Sequence, residues 1–473
     1  MAGAIATIRK AYTSIFNVFL YLLPVFVVLG IFDYRFHNYF WPGEAGGGGA
    51  TGELFFRLHP GLAMFDFFSI LDFYLLIVFG LYILGVLGLQ IFVPRLKWRW
   101  QYLSIAFVVL GLIVAGVSYN PSEPVIKSFW FEIYHLYVTP VALFFVLAFA
   151  VKDRVVFRQL QISLMGVLSL FGMLAIYEYF SGALPGDNLD FLGRLVWPYI
   201  DPFVDMKYES ANWLSYIFGP GLILGVVSLR EKLGKGLGKW LNKFFEQLKK
   251  PQDYFLEGLC IVVSLVVLLL TKSYTGIGIT ALILGLYVFI SVPKKTRKYL
   301  VIGFVVLLMV GIASQYNTRK FQILIGNDTQ ETSLHRRAQI YTFNYEALKE
   351  NVFVGIGPGN YQSYFRENQE RFLDPVIPEL EIPPHPHNLL TGWWSDLGIF
   401  GMVGMLLIYV MAFVEFFRKK RSGFVLVLIY FLGHGFLDLP YSLPENTIMF
   451  WMFLAFLFID KTLSEKRSQA KKA

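Results

Sequence analysis

Residues 255–292 read FLEGLCIVVSLVVLLLTKSYTGIGITALILGLYVFISV. Two apolar runs meet at a short polar break, Thr271-Lys272-Ser273. About 20 apolar residues in a helix cross the roughly 30 Å of bilayer hydrocarbon. Each run approaches that length, so the stretch predicts two membrane-spanning helices joined by a very short turn. Reading outward in both directions, the pattern recurs. Spans are expected near 12–32, 67–93, 100–119, 129–150, 159–181, 210–229, 255–271, 273–292, 299–315, 388–416, 423–440 and 446–460. The fold class this predicts is an all-α polytopic membrane protein of about 12 transmembrane helices.

Composition agrees. Of 473 residues, 56% are hydrophobic and only 16% are charged, with a mean hydropathy of +0.55. A soluble protein carries about 25% charged residues. The net charge of +8 could suggest nucleic acid, but its distribution points to membrane topology and to no nucleic-acid partner. With the N-terminus inside, segments such as Arg230 to Lys250, Lys294 to Lys298, Arg418 to Arg421 and the tail from Lys461 all fall on one side. Those inside segments hold 28 of the 41 Lys and Arg. That asymmetry places both termini in the cytoplasm. The single cysteine, Cys260, permits no disulfide framework.

The expected organisation is helices over 1–315, a large partly helical extracytoplasmic loop over 316–387, helices over 388–460, and a basic cytoplasmic tail over 461–473. In the loop, Ser333 can cap a helix running to about Glu350, with Ile340, Phe343, Ala347 and Leu348 on one stripe. Polar groups suited to chemistry concentrate around this loop. Gly355-Ile-Gly-Pro-Gly-Asn-Tyr361 reads either as a backbone nest for phosphate or sugar, through Gly357, Gly359 and Asn360, or as a plain turn. Arg336 and Arg337 can grip a phosphate, or lie on a solvated helix face. His385-Pro-His387-Asn388 stands at the mouth of the next span. A histidine there can accept a hydroxyl proton, although a cap or interfacial hydrogen bond explains it as well. His-x-His alone offers two metal donors with no obvious third ligand, and no outer loop carries Asp-x-Asp. The expectation is therefore no metal and no cofactor. Asp396 follows in the same helix, nine residues past His387, and does not share its face closely. Lys272, Asn212, and the pair His434 and Asp438 lie at other membrane edges.

Taken in order, these pieces resemble the O-antigen ligase and O-antigen polymerase superfamily. The likeness rests on Arg337 with Tyr341, the Gly355–Tyr361 turn, His387–Asn388, and Asp396-Leu-Gly-Ile-Phe-Gly401. Ser210-Ala-Asn212 upstream and Gly433-His-Gly-Phe-Leu-Asp438 downstream extend it over roughly 205–460. Two departures stand out. Asp396 replaces a glutamate-type acid, and the family's arginine after the break corresponds to Tyr274, leaving Lys272 as the nearby cation. The resemblance implies a C-type glycosyltransferase-like membrane fold in a bacterial cytoplasmic (inner) membrane, with its site on the outer face. It implies an undecaprenyl-pyrophosphate-linked glycan as donor. The acceptor it implies is a glycan, lipid A–core or a protein hydroxyl. It implies inverting, metal-independent transfer. In that frame His387 is the catalytic base and Arg337 stabilises the leaving pyrophosphate. Arg336, Lys272, Gly357, Gly359, Asn360 and Asn388 bind substrate, while Asp396, His385, Asn212, His434 and Asp438 support the site. The rival class is a transporter or lipid-linked oligosaccharide flippase, which needs charges at mid-membrane. Asp72, Glu178 and Glu257 are the candidates for that role.

Overall fold

A computed structural model of the chain describes residues 2–40, 70–91, 102–118, 129–130, 132–181, 197–201, 206–233, 254–292, 294–299, 301–303, 309, 333–378, 382–383, 385–418, 422–439, 441 and 443–470. Helices occupy eleven of the expected spans. Seven are long and apolar enough to cross a membrane: those within Ala4–Val28, Ile133–Ala150, Arg154–Ser181, Ala211–Leu233, Tyr274–Ser291, Leu389–Phe417 and Pro444–Glu465. Four shorter apolar helices stand among them, Leu71–Leu87, Tyr102–Ser118, Phe255–Thr271 and Gly423–Gly435. The chain is therefore a multi-pass helical membrane protein. The expected span 299–315 lies mostly outside the described residues. One element adds to the all-helical expectation. Trp197–Asp201 and Met206–Ser210 pair as an antiparallel hairpin, with Tyr199 opposite Tyr208. Aromatic residues suit a pleated, paired surface, and the hairpin feeds directly into the helix Ala211–Leu233.

The break that opened the sequence reading is realised residue by residue. The first helix ends at Thr271, and Lys272 takes a left-handed conformation (φ 48°). Ser273 then caps the helix Tyr274–Ser291 by accepting from Gly276 N–H. The cap removes an orphan donor at the new helix start.

Helices Tyr102–Ser118 and Leu389–Phe417 lie unusually close. A Cβ on Gly404 would stand 3.0 Å from the Ser104 carbonyl oxygen. Small residues let membrane helices approach until dispersion holds them, since lipid supplies no hydrophobic drive between helices.

Outside the bundle, the helix Ser333–Glu350 forms where the sequence predicts it. Its stripe of Ile340, Phe343, Ala347 and Leu348 is buried against Tyr361 and Phe365 of the helix Tyr361–Phe372. Phe343 is fully covered, and burying such a ring contributes about 3 kcal/mol. This small second core fixes the loop against the membrane helices and so sets the position of everything the loop carries.

The two parts interlock at one point. The long helix Leu389–Phe417 is broken at Gly398 (φ 64°, ψ −163°). The Ser395 carbonyl turns to accept from Ile356 N–H at 2.6 Å and Gly357 N–H at 2.9 Å, and Ile399 N–H donates to the Val352 carbonyl. The glycine turn thus supplies the hydrogen bonds that the broken helix loses. Gly355 (φ 79°) must be a glycine, because a Cβ there would press on the Trp394 and Ser395 carbonyl oxygens at 2.4 Å.

Candidate active site

The helix Ser333–Glu350 presents Arg337, Tyr341 and Asn344 at i, i+4 and i+7, which places all three on one face. Tyr341 and Asn344 grip the approach to the helix Leu389–Phe417. Asn344, almost fully buried, donates to the Pro386 carbonyl at 2.9 Å and accepts from the Tyr361 hydroxyl at 2.6 Å. The Tyr341 hydroxyl lies 3.1 Å from both the His387 and the Phe436 carbonyl oxygens. Asn388 caps the helix by accepting from Leu390 and Thr391 N–H, and its amide donates to the Phe436 carbonyl. The His385-Pro386-His387 segment is therefore held from three sides. His387 sits at φ 53°, a conformation uncommon outside glycine that the surrounding bonds impose.

That conformation brings His387 to a carboxylate 51 residues away in sequence. His387 Nδ1 lies 3.1 Å from Asp438 Oδ1. Asp438 follows the helix Gly423–Gly435 and is 4% exposed. It also accepts from Leu439 N–H and, through Oδ2, from the Asn212 amide. Burial alone raises a carboxyl, but here the His387 bond and charge, with His385 and Arg337 adding to them, hold Asp438 well below the usual carboxylate range. The chain of bonds continues. Asn212 Oδ1 accepts from Ser273 Oγ at 2.6 Å, and Ser215 Oγ lies 3.0 Å from His434 Nε2. Ser215 Oγ also lies 3.4 Å from Ser273 Oγ. His387, Asp438, Asn212, Ser273, Ser215 and His434 form one connected network drawn from the helices Ala211–Leu233 and Gly423–Gly435, the break at Ser273 and the segments that carry His387 and Asp438.

Arg337 faces this network. It is half-buried, and it makes no hydrogen bond or ion pair among the described residues. Its charge nonetheless acts on Asp438, His385, His434 and Tyr341. Burial pushes the Tyr341 phenol up while Arg337 draws it back. A guanidinium that serves the site's field and is unpartnered among the described residues is suited to an incoming anion. Beside the pair, the His385 ring lies 4.5 Å from that of His387 and is 8% exposed. Burial, then the His387 charge, lowers its pKa to about 3, so its imidazole is neutral at neutral pH.

Several sequence candidates are placed differently. The glycine turn is a nest, but the anion it meets is the protein's own: Gly359 N–H donates to Glu132 Oε2 at 2.6 Å. Gly357 N–H is taken by Ser395, and the Asn360 amide by the Ile356 carbonyl. Those polar groups hold the broken helix and are already used. Asn388 acts as a helix cap for the same reason. Arg336 turns to Gln339 at 3.4 Å. Asp396 stands in a small adjoining cavity of about 20 Å³ that shares His385 with the site and is also lined by Glu132, Tyr361, Trp393 and Tyr441, and it accepts from the Tyr137 hydroxyl at 2.5 Å. Tyr137 reaches it from a π-helical turn, Ile133–Val138, a local widening that often marks functional regions. Lys272 is exposed and stands next to Ser273, at the edge of the network. Tyr274, at the expected arginine position, is exposed.

Residues 259–406 match the family model described as O-antigen ligase. Over that stretch, about a third of the chain, the protein is similar to the O-antigen ligase family. No curated protein matches the chain. The matched segment contains Lys272, Ser273, Arg337, the glycine turn, both histidines of the His-Pro-His run and Asp396. Asn212, Ser215, His434 and Asp438 lie outside it, so the histidine of the matched segment meets its carboxylate partner only through folding. Asn344, Ser273, Ser215 and Glu132 are the residues that sequence reasoning missed. The i, i+4, i+7 spacing from Arg337 was the available signal for Asn344. No spacing signals Glu132, because it comes from a distant helix.

Proposed function

We propose that this protein is a membrane glycan transferase that moves a glycan from undecaprenyl pyrophosphate to an acceptor hydroxyl on the outer face of a bacterial cytoplasmic membrane. One observation carries this reading: an imidazole held by a buried carboxylate stands in the field of a guanidinium that makes no hydrogen bond or ion pair among the described residues. Asp438 fixes the proton on His387 Nδ1, which leaves the Nε2 lone pair to take a proton. In the transfer, the acceptor hydroxyl loses its proton to His387 and its oxygen bonds the anomeric carbon from the face opposite the leaving group. The bond from that carbon to the pyrophosphate oxygen breaks with inversion, and undecaprenyl pyrophosphate departs against Arg337. Lys272 adds a second positive charge at the edge of the site. Proton transfer of this kind contributes about 10²–10⁴ in rate, and charge stabilisation at the leaving group several kcal/mol more. Neither step needs a metal in this reading.

The transporter alternative is less well supported. Two of its candidate charges are closed into pairs: Asp72 with His135 at 3.1 Å and Glu257 with Lys232 at 2.7 Å. The decisive experiment reconstitutes purified protein with a defined polyprenyl-pyrophosphate glycan and separate acceptors. A ladder of products identifies a polymerase, and one glycan on a distinct acceptor identifies a ligase. His387→Ala should abolish transfer while leaving the protein folded; normal transfer by that variant would remove the base assignment.

A further inference from the structure

The sequence offered His385-x-His387 as two metal donors lacking a third. Folding supplies the third. His385, His387 and Asp438 each present a donor atom, and these atoms lie within 4.8 Å of one another. Two of them are already close to a chelating separation. Zinc–nitrogen and zinc–oxygen bonds of about 2.0–2.2 Å at a tetrahedral angle set ligand atoms roughly 3.3–3.6 Å apart. The observed gap from His387 Nδ1 to Asp438 Oδ1 is 3.1 Å, so an ion can replace the shared proton with little movement. The His385 donor already lies within 4.8 Å of the other two, and its Nδ1 accepts one long contact of 3.4 Å from His387 N–H, which a metal bond would outcompete. Two imidazoles and one carboxylate select zinc, copper, nickel or cobalt over magnesium or calcium, which prefer all-oxygen shells.

We propose that His385, His387 and Asp438 form a binding site for a divalent transition metal of the zinc class, and that its occupation switches transfer off. The switch follows from the two donors it uses. The metal takes the carboxylate and the ring nitrogen that together prime His387, so bound metal and a proton-accepting His387 exclude each other. Arg337, whose charge acts on the same carboxylate, weakens the site and keeps the metal exchangeable. The switching half rests on the transfer reading above; the binding half does not.

The test uses full-length protein purified without a polyhistidine tag. Cobalt is titrated as the probe and displaced with zinc. The wild type should show the visible absorption of four-coordinate cobalt, lost on zinc addition and lost in His385→Ala. Should that variant fail to fold, X-ray absorption of the zinc-loaded wild type decides, with two imidazole ligands at about 2.0–2.1 Å expected. A wild type that binds neither ion, a spectrum unchanged in folded His385→Ala, or a zinc shell without two imidazoles overturns the site. Zinc should then suppress glycan transfer by tenfold or more, and a chelator should restore it. Metal that binds without slowing transfer overturns the switch. Absence of transfer in metal-free protein sinks the transfer reading instead, and the spectroscopic result stands apart from it.

Discussion

Asp438→Asn is the sharpest probe of the site, because it keeps the shape of the side chain and changes only its charge and hydrogen-bonding sense. Asp438 accepts three bonds, from His387 Nδ1, Asn212 Nδ2 and Leu439 N–H. An asparagine cannot accept all three. If its amide nitrogen faces His387, the ring is forced to carry its proton on Nε2, and the lone pair needed for catalysis points the wrong way. If its oxygen faces His387, the tautomer survives but the negative charge that stabilises the forming imidazolium is gone. Charge-assisted hydrogen bonds contribute about 1.5–3 kcal/mol each, and catalysis loses both the orientation and the charge. A loss of about 3–5 kcal/mol in transition-state stabilisation corresponds to roughly 10²–10⁴ in kcat/KM. The assay is the initial rate of product formation in proteoliposomes with a defined polyprenyl-pyrophosphate glycan, with the melting temperature measured in parallel. The double variant with His387→Ala should be no slower than His387→Ala alone, because the carboxylate's effect on proton transfer runs through that ring. A folded Asp438→Asn protein that works within threefold of wild type, or additive losses in the double variant, would refute the paired-base reasoning.

Other outcomes can be checked with the same material. Arg337→Ala should lower transfer by about 10²–10³-fold, and Arg337→Lys should recover only part of it, since an ammonium keeps the charge but loses the planar fork; full recovery by lysine would show that charge alone suffices. Gly398→Ala should fail to accumulate as folded protein, because its Cβ would meet the Phe353 carbonyl oxygen at 1.8 Å on a left-handed backbone, a cost of more than about 3 kcal/mol, read by size-exclusion profile after membrane extraction. Acid should destabilise the fold through His385. Its folded pKa of about 3 lies below the ordinary 6.5, so the unfolded chain binds the proton first and stability falls as pH drops from 6.5 towards 3. At pH 5 the loss is about 2 kcal/mol, and it should vanish from the pH dependence of the melting temperature in His385→Asn.

The sequence by itself determined the helices. Membrane spans are local facts: an apolar run of sufficient length makes a helix in lipid whatever it packs against, so 255–271 and 273–292 could be read almost to the residue. The helix from Ser333 to Glu350 was legible for a similar reason, because its apolar stripe repeats at helical spacing within a single segment. Histidine, arginine and carboxylate could each be named as candidates from residue type. Their partnerships could not. The His387–Asp438 contact joins residues 51 apart, Gly359 meets Glu132 across 227 residues, and Asn212 reaches Asp438 across 226. Nothing in local spacing encodes which donor will face which acceptor. That is decided where the glycine turn docks into the helix broken at Gly398 and fixes the loop on the bundle. The same docking turned a nest that reads as a phosphate site into a seat for Glu132, and gave a two-histidine motif its third ligand. Such choices depend on how separate segments bury their polar groups together, and only the tertiary structure settles that.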